Sequence, residues 1–279
     1  MSSLAQSIFT MPDLPEVGPK DFERAARILH KRAGIVLGEH KREMAERVLA
    51  TRARAMKLEE VRLYLDYLEQ NPQSGQWEVF VNTFTINHTA FFREQHHFDI
   101  LAKFAQSRKK PFSVWCCASS TGEEPYSIAM TLRESRAVPD TEVSILATDI
   151  DTRAAAAAYE GVYSDERAKA VPEAYLHKYF YRGIGRRTGM VCVKPILRNM
   201  IDFDVVNLLS PDWPTEQKFD AIFCRNTMIY FDRATQTKLL ERFASVIKPG
   251  GLLFVGHSEN FTYLTKAFRL QGQTVYVAT

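Results

Sequence analysis

The segment Ser113-Val114-Trp115-Cys116-Cys117-Ala118-Ser119-Ser120-Thr121-Gly122-Glu123-Glu124-Pro125-Tyr126-Ser127 carries the most chemical information in the chain. A short apolar run leads into small residues, one Gly, two acids, a Pro and then an amphipathic helix. A strand, tight loop and helix start of this kind cradles a nucleotide-like ligand in open α/β sheets. The positive end of a helix suits a pyrophosphate, but Glu123 and Glu124 would repel one there. The two acids suit a ligand with ribose hydroxyls and a positive centre, a description that S-adenosylmethionine meets. The alternative is that they only stabilise the helix N-terminus.

Asp149 ends the next apolar run and is placed to hold ribose hydroxyls. A helix-capping role for it is less attractive, because Asp151 is better placed to cap the helix that follows. Cys224-Arg225-Asn226 ends a later run, where open α/β sheets bind ligands. The four Cys (116, 117, 192 and 224) all fall in apolar runs read as strands. Cys116 and Cys117 should point to opposite faces. Neither the Cys residues nor the pair His96-His97 has metal-ligand spacing, so no metal site is expected and the thiols read as buried and reduced.

These residues need elements to hold them. Apolar residues recur at helical spacing over Asp21–Ala33, Lys41–Met56, Leu58–Gln70 and Trp77–Ile86, which predicts a small helical bundle. From about Pro111 strands and helices alternate. Strands are expected at Phe112–Cys117, Glu142–Ala147, Phe219–Cys224, Leu252–Gly256 and Gln273–Ala278. Helices are expected from Glu124, Thr152 and Ala234, and Lys248-Pro249-Gly250-Gly251 reads as a turn. This alternation predicts a doubly wound, mostly parallel sheet. Gly183, Gly185 and Gly189, followed by alternating apolar residues to Phe203, predict a small antiparallel β insertion at about 181–206. The expected organisation is a lead-in over 1–19, an all-α domain over 20–86 and an α/β domain over 87–279. A net charge of +3 over 279 residues gives no general argument for nucleic acid. No apolar run reaches the roughly 18 residues that span a bilayer, and the N-terminus has no signal-peptide core.

The parts of a class I methyltransferase (Rossmann-like) fold therefore occur in order: a Gly-containing first loop, an acid ending the second strand, and a later strand facing the reacting group. At this level the chain resembles the CheR family, the chemotaxis receptor methyltransferases that esterify chemoreceptor glutamates. The blocks that carry the likeness are Asn87–Glu94 (N-H-T-A-F-F-R-E), Ser120–Ser127, Ala147–Asp151, Asn207-Leu208-Leu209, Phe223–Asn226 with Ile229-Tyr230-Phe231, and Lys248–Gly251 with Gly256–Glu259. The resemblance implies S-adenosylmethionine as donor and S-adenosylhomocysteine as product. It places Asn87, Thr89 and Arg93 at the methionine end of the cofactor with Glu124 beside them. Asp149 falls on the ribose, Asn207 and Leu208 on the adenine, and Asn226 with Thr227 at the closing wall. Arg93 and Tyr230 would stand nearest the transferred methyl. Two departures from the family pattern are Cys117-Ala118 in the first loop and Thr227 in place of an aliphatic residue.

A glutamate carboxylate, with a pKa of about 4.3, is already a nucleophile at neutral pH, so no general base is nominated. Arg93 is placed to orient a carboxylate of either cofactor or substrate, or else to pair with Glu94 or Glu123. Arg47 and Arg54 share a helix face, and Lys41, Arg42 and Arg52 add charge nearby. That face suits the Glu-rich helices of receptors, unless a Glu43–Arg47 pair simply solvates it. The loop Gly183–Gly189, with Arg186 and Arg187, resembles the type that captures an acidic receptor C-terminal peptide as an added strand. The implied protein is a cytoplasmic monomer recruited to membrane receptor arrays, with no nucleic acid and no membrane insertion of its own. The rivals are a methyltransferase of another substrate class, a non-catalytic docking module and, more distantly, a dehydrogenase, which would need the absent G-x-G-x-x-G.

Overall fold

The computed structural model describes residues 14–108, 111–135, 142–213 and 218–279. Most of the expected lead-in therefore lies outside the described residues. The chain forms two compact units, one of residues up to Lys31 with Leu37–Phe84, the other of Arg32–Val36 with Thr85–Thr279.

In the first unit the helices are α1 (Pro19–Ala33), α2 (Arg42–Ala55), α3 (Val61–Gln70) and α4 (Gln76–Phe84). Val61, Leu65 and Leu68 all turn inward, as their spacing requires, and pack with Leu49, Tyr64 and Phe80 in the buried core. Tyr64 and Trp77 both lie against the Phe80 ring, with centroids 6.3 and 5.9 Å away. Arg24 of α1 clamps α3 through Asp66 (2.7 Å) and Glu69.

In the second unit, in chain order, come α5 (His96–Ser107), β1 (Phe112–Cys116), α6 (Glu123–Glu134), β2 (Val143–Asp149), α7 (Thr152–Glu160), β3 (Val162–Ser164), α8 (Asp165–Ala168), α9 (Glu173–Tyr179), β4 (Phe180–Arg182), β5 (Met190–Val193) and α10 (Pro195–Arg198). They are followed by β6 (Ile201–Val205), β7 (Phe219–Phe223), α11 (Arg233–Val246), β8 (Ile247–Phe254), β9 (Phe268–Gly272) and β10 (Val275–Ala278). The main sheet has the order β6-β2-β1-β7-β8-β10-β9. Its first five strands run parallel, and β10 is antiparallel to both its neighbours. This is the class I methyltransferase architecture. β1 is buried along its whole length, as a central parallel strand must be. Cys116 joins the apolar cluster on one face of the sheet and Cys117 the cluster on the other.

The structure corrects three expectations. The small antiparallel sheet has the order β3-β5-β4 and begins at Val162, not at 181, while Ile201–Val205 belongs to the main sheet beside β2. Both stretches alternate with period two, so the pattern alone could not assign them to different sheets. Lys248–Gly251 is no free turn but an irregularity inside β8, where the register to β7 shifts between Phe219 and Ala221. The helix α5 and the edge strand β9 were not expected. β9 is exposed after its first residue and offers no alternating signal.

Candidate methyl-transfer site

Cys116, Ala147, Phe223 and Phe254 are lateral neighbours across four parallel strands. The residues just beyond them therefore gather along one edge of the sheet, at the carboxyl ends where such sheets bind ligands. The first loop is pinned there by Ser119 N to Thr148 O (2.9 Å) and by Ser120 N to Asp149 Oδ2 (2.7 Å). Gly122 begins α6 with φ +99°, and a Cβ on it would fall 2.7 Å from the Tyr163 hydroxyl. Only glycine allows the loop to lie so close to its support.

Asp149 accepts from Ser120 N on one oxygen and from Asp151 N (2.9 Å) on the other. Burial pushes its carboxyl up, and the backbone donors oppose that. The side chain is half-buried, and a carboxylate carries more lone pairs than its backbone donors fill, which fits ribose hydroxyls. Asp151 does something different. It caps α7 through Arg153 N (2.9 Å) and Ala154 N (3.2 Å) and takes Thr85 Oγ1 (2.6 Å) and Asn87 Nδ2 (2.8 Å) on its other oxygen. Burial raises its pKa, but the Thr85 and Asn87 donors together with the Ala154 and Arg153 amides outweigh it and the net shift is down. Ser120 Oγ donates to Asn87 Oδ1 (3.2 Å), so Asn87 ties its segment to both loops.

The two acids of the first loop part ways. Glu123 is fully buried and turns into the protein, where it meets Arg167 and Thr121. Glu124 accepts from Arg225 Nη1 (2.7 Å) and from Cys116 Sγ (3.2 Å). Burial raises the Glu124 carboxyl, with Arg225 opposing. Arg225 itself is 4% exposed, approaches Glu94 Oε2 (3.4 Å) and donates Nη2 to the Arg93 carbonyl (2.5 Å). One guanidinium thus knits the start of α6 to the Thr89–Glu94 segment. The sequence marked Arg225 only as part of a strand end. A charged residue closing an otherwise apolar strand was the available signal.

Arg93 donates Nη1 to the His88 carbonyl (3.0 Å). Glu94 pairs instead with Arg225 and His257, and Glu123 with Arg167, so the alternative pairings of Arg93 with these acids are not formed. Burial raises the Tyr230 phenol, and the positive charge of Arg93 opposes that. Thr89 is half-exposed in the same segment as Arg93. Asn226 (φ +56°) and Thr227 follow Arg225 and are half-exposed. Asn207 spends its carboxamide on structure, donating to Arg32 O (2.7 Å) and accepting from Leu209 N (2.9 Å). It borders a cavity of ≈ 300 Å³ with Asp204, Asp212 and Trp213. Leu208 is buried, and its carbonyl takes Arg242 Nη1 (2.7 Å).

Residues 87–277 match the family described as "CheR methyltransferase, SAM binding domain", and residues 20–85 match "CheR methyltransferase, all-alpha domain". The chain belongs to the CheR methyltransferase family. It is 48% identical to the chemotaxis protein methyltransferase of Escherichia coli (strain K12), covering 91% of this chain and 89% of that one. To the Salmonella typhimurium protein of the same name the identity is 47%, covering 91% and 88%. To chemotaxis protein methyltransferase 2 of Pseudomonas aeruginosa it is 44%, covering 92% of each. This CheR protein is thus a chemotaxis methyltransferase, and its cofactor is S-adenosylmethionine.

The remaining expected residues lie elsewhere in the chain. Arg47 and Arg54 are exposed on α2, with no carboxylate partner among the described residues, and the expected Glu43–Arg47 pair is not formed. Arg52 is half-buried, with Nε lacking a hydrogen bond and its charge acting on the Tyr64 phenol. Gly183, Gly185 and Gly189 lie in the β4–β5 connection, where Gly183 N donates to Met190 O (2.8 Å). Among the described residues, no helix is long and apolar enough to cross a membrane.

Proposed function

We propose that this CheR protein methylates the side-chain carboxylates of glutamates on bacterial chemoreceptors, forming methyl esters. The observation that carries the reading is the charge balance at the carboxyl ends of β1, β2 and β7. Glu94 and Glu124 face the single guanidinium of Arg225, and Asp149 stands alongside, so the cleft keeps net negative charge. Such a cleft favours a cofactor with an ammonium and a sulfonium and disfavours a phosphate ligand. Bound there, S-adenosylmethionine supplies an electrophilic methyl. Asp149 holds the ribose hydroxyls, and Asn207 with Leu208 borders the adenine. Asn87, Thr89 and Glu124 face the methionine end, and Asn226 with Thr227 closes the wall.

The nucleophile needs no base, because a glutamate is ionised at neutral pH. What the chain must supply is position and exclusion of water. Arg93 keeps guanidinium N–H groups beyond the one given to His88, and these suit a substrate carboxylate. Tyr230, its phenol raised by burial, stays neutral and keeps an O–H to donate. The exposed arginines 47 and 54, with Arg52, steer an acidic receptor helix.

A second contact is favoured by the small sheet. β4 lies at its edge, and a groove of ≈ 780 Å³ runs along it, lined by Val171, Leu176, Phe180, Tyr181 and Arg182 among others. We infer that a receptor C-terminal peptide adds there as a strand, with Arg186 and Arg187 of the glycine loop facing its acidic end. The chain then works as a monomer brought to receptor arrays in the cytoplasm.

The test is transfer of radiolabelled methyl from S-adenosylmethionine to purified receptor cytoplasmic fragments, followed by alkali. Volatile methanol released from labelled receptor supports a glutamate ester. Alkali-stable label, or label on no receptor, overturns it.

A further inference from the structure

Two segments that leave neighbouring strands are locked together at the wall of the cleft. Arg225–Tyr230 follows β7, and Gly256–Glu259 follows β8. Glu259 is 3% exposed, and its carboxylate is filled by four backbone donors. Oε2 accepts from Asn226 N (3.0 Å) and Gly256 N (2.6 Å), and Oε1 from Thr227 N (3.0 Å) and Ile229 N (3.2 Å). Its own N–H donates to Gly256 O (2.8 Å), closing the turn beneath it. Burial raises the carboxyl, and the four amides are what make an anion tolerable there.

The held segment is under strain and has little room. Asn226 takes φ +56°, a left-handed conformation that costs energy for any residue with a Cβ. A Cβ at Gly256 would fall 2.2 Å from Asn226 Nδ2, so the two segments touch where only glycine fits. Beyond Ile229 the chain makes one tight turn, Tyr230 N to Thr227 O (3.1 Å), which sets where the phenol stands.

We propose that Glu259 is a positioning residue for methyl transfer, holding Asn226, Thr227 and Tyr230 in the geometry that the cofactor meets. This rests on the reading that Asn226–Tyr230 lines the cofactor cleft. Glu259 touches neither cofactor nor substrate. It acts through the backbone of the residues that do.

The test uses the full chain and Glu259→Gln. The amide keeps the size but turns an NH₂ towards two backbone N–H donors, so at most two of the four bonds survive. Asp220→Asn is the control. Asp220 is equally buried but serves the opposite end of the strands, accepting from Ser113 N (2.9 Å) and Lys248 Nζ (2.6 Å). Affinity for S-adenosylhomocysteine is measured by calorimetry, kcat and KM with receptor fragments, and Tm by scanning. Glu259→Gln is expected to weaken S-adenosylhomocysteine binding at least tenfold and lower kcat at least tenfold. Asp220→Asn is expected to lower Tm while leaving both within threefold of the parent. Gly256→Ala pushes the same segment with the carboxylate intact, and should reproduce the kcat loss if Glu259→Gln does not fold. Parent-like binding and kcat in both Glu259→Gln and Gly256→Ala would overturn the proposal. Equal losses in Asp220→Asn would also overturn it, by making the effect one of stability. A parent that binds no S-adenosylhomocysteine would overturn the cleft assignment and this proposal with it.

Discussion

Asp149 and Asp151 are two residues apart, and their partners separate their roles. Asp151 spends its oxygens on a helix cap and on Thr85 and Asn87, whereas the partners of Asp149 are backbone amides of its own loop and the first loop. This distinction was readable from sequence, because an N-cap must directly precede its helix. The roles of Arg225 and Glu259 were not, because each is defined by groups that approach from other strands. Asp149→Ala should weaken S-adenosylhomocysteine binding by about 10- to 100-fold, the value of charged hydrogen bonds worth roughly 1.5–3 kcal/mol. Calorimetry checks it, and unchanged affinity would remove the ribose assignment. Tyr230→Phe deletes one donor and little volume. It should lower kcat by about tenfold, the worth of about one hydrogen bond, and leave cofactor affinity near that of the parent. Single-turnover methyl transfer separates these two quantities.

The helices of the first unit and the central strands were read correctly because each has a private signal. α3 shows an apolar stripe, and β1 is a mostly apolar run, broken only by Ser113, that ends in turn residues. Where the reading failed, the missing information lay in a partner. Ile201–Val205 alternates like the strands of the small sheet, and only its pairing with β2 from Ile145 to Asp149 shows where it belongs. α5 carries buried Phe98, Leu101 and Ala105 at helical spacing but adjoins the Thr89–Glu94 motif, which masked its start. α2 presents the converse case, an element that carries exposed arginines at 47 and 54. Arg54 has no ion-pair partner among the described residues, so Arg54→Ala should leave Tm and cofactor affinity unchanged. It should raise the KM for receptor fragments about two- to fivefold at low ionic strength, fading as added salt screens the charge. Equal KM values at low salt would remove α2 from the substrate contact.

The folded molecule also buries several ionisable groups, and they pull its stability in opposite directions. His97 is fully buried, with Nε2 donating to Gln273 O (2.9 Å) and Nδ1 3.5 Å from Glu94 Oε2. Burial lowers its pKa to about 4, with the charges of Arg225 and His96 adding to the effect and Glu94 opposing it. An unfolded histidine takes its proton near pH 6.5. Between about pH 4 and 6.5 the unfolded chain therefore holds more protons than the folded one, and stability from this group is lost as pH falls through that window. Glu124, Asp149 and Glu259 have raised pKa values, so between the ordinary carboxylate value and their own they hold protons that the unfolded chain has released, and they ionise above it. Their contribution falls as pH rises, the reverse of that of His97. The net Tm profile alone cannot separate the two, but the difference between two proteins can. His97→Gln keeps a donor for the Gln273 carbonyl and removes the titration. It should flatten the loss of stability between pH 6.5 and 4 relative to the parent, by a difference of up to about 3 kcal/mol in unfolding free energy at the acid end. A difference that stays constant across that pH range would show that His97 titrates alike in folded and unfolded chains, and that its burial leaves its proton affinity untouched.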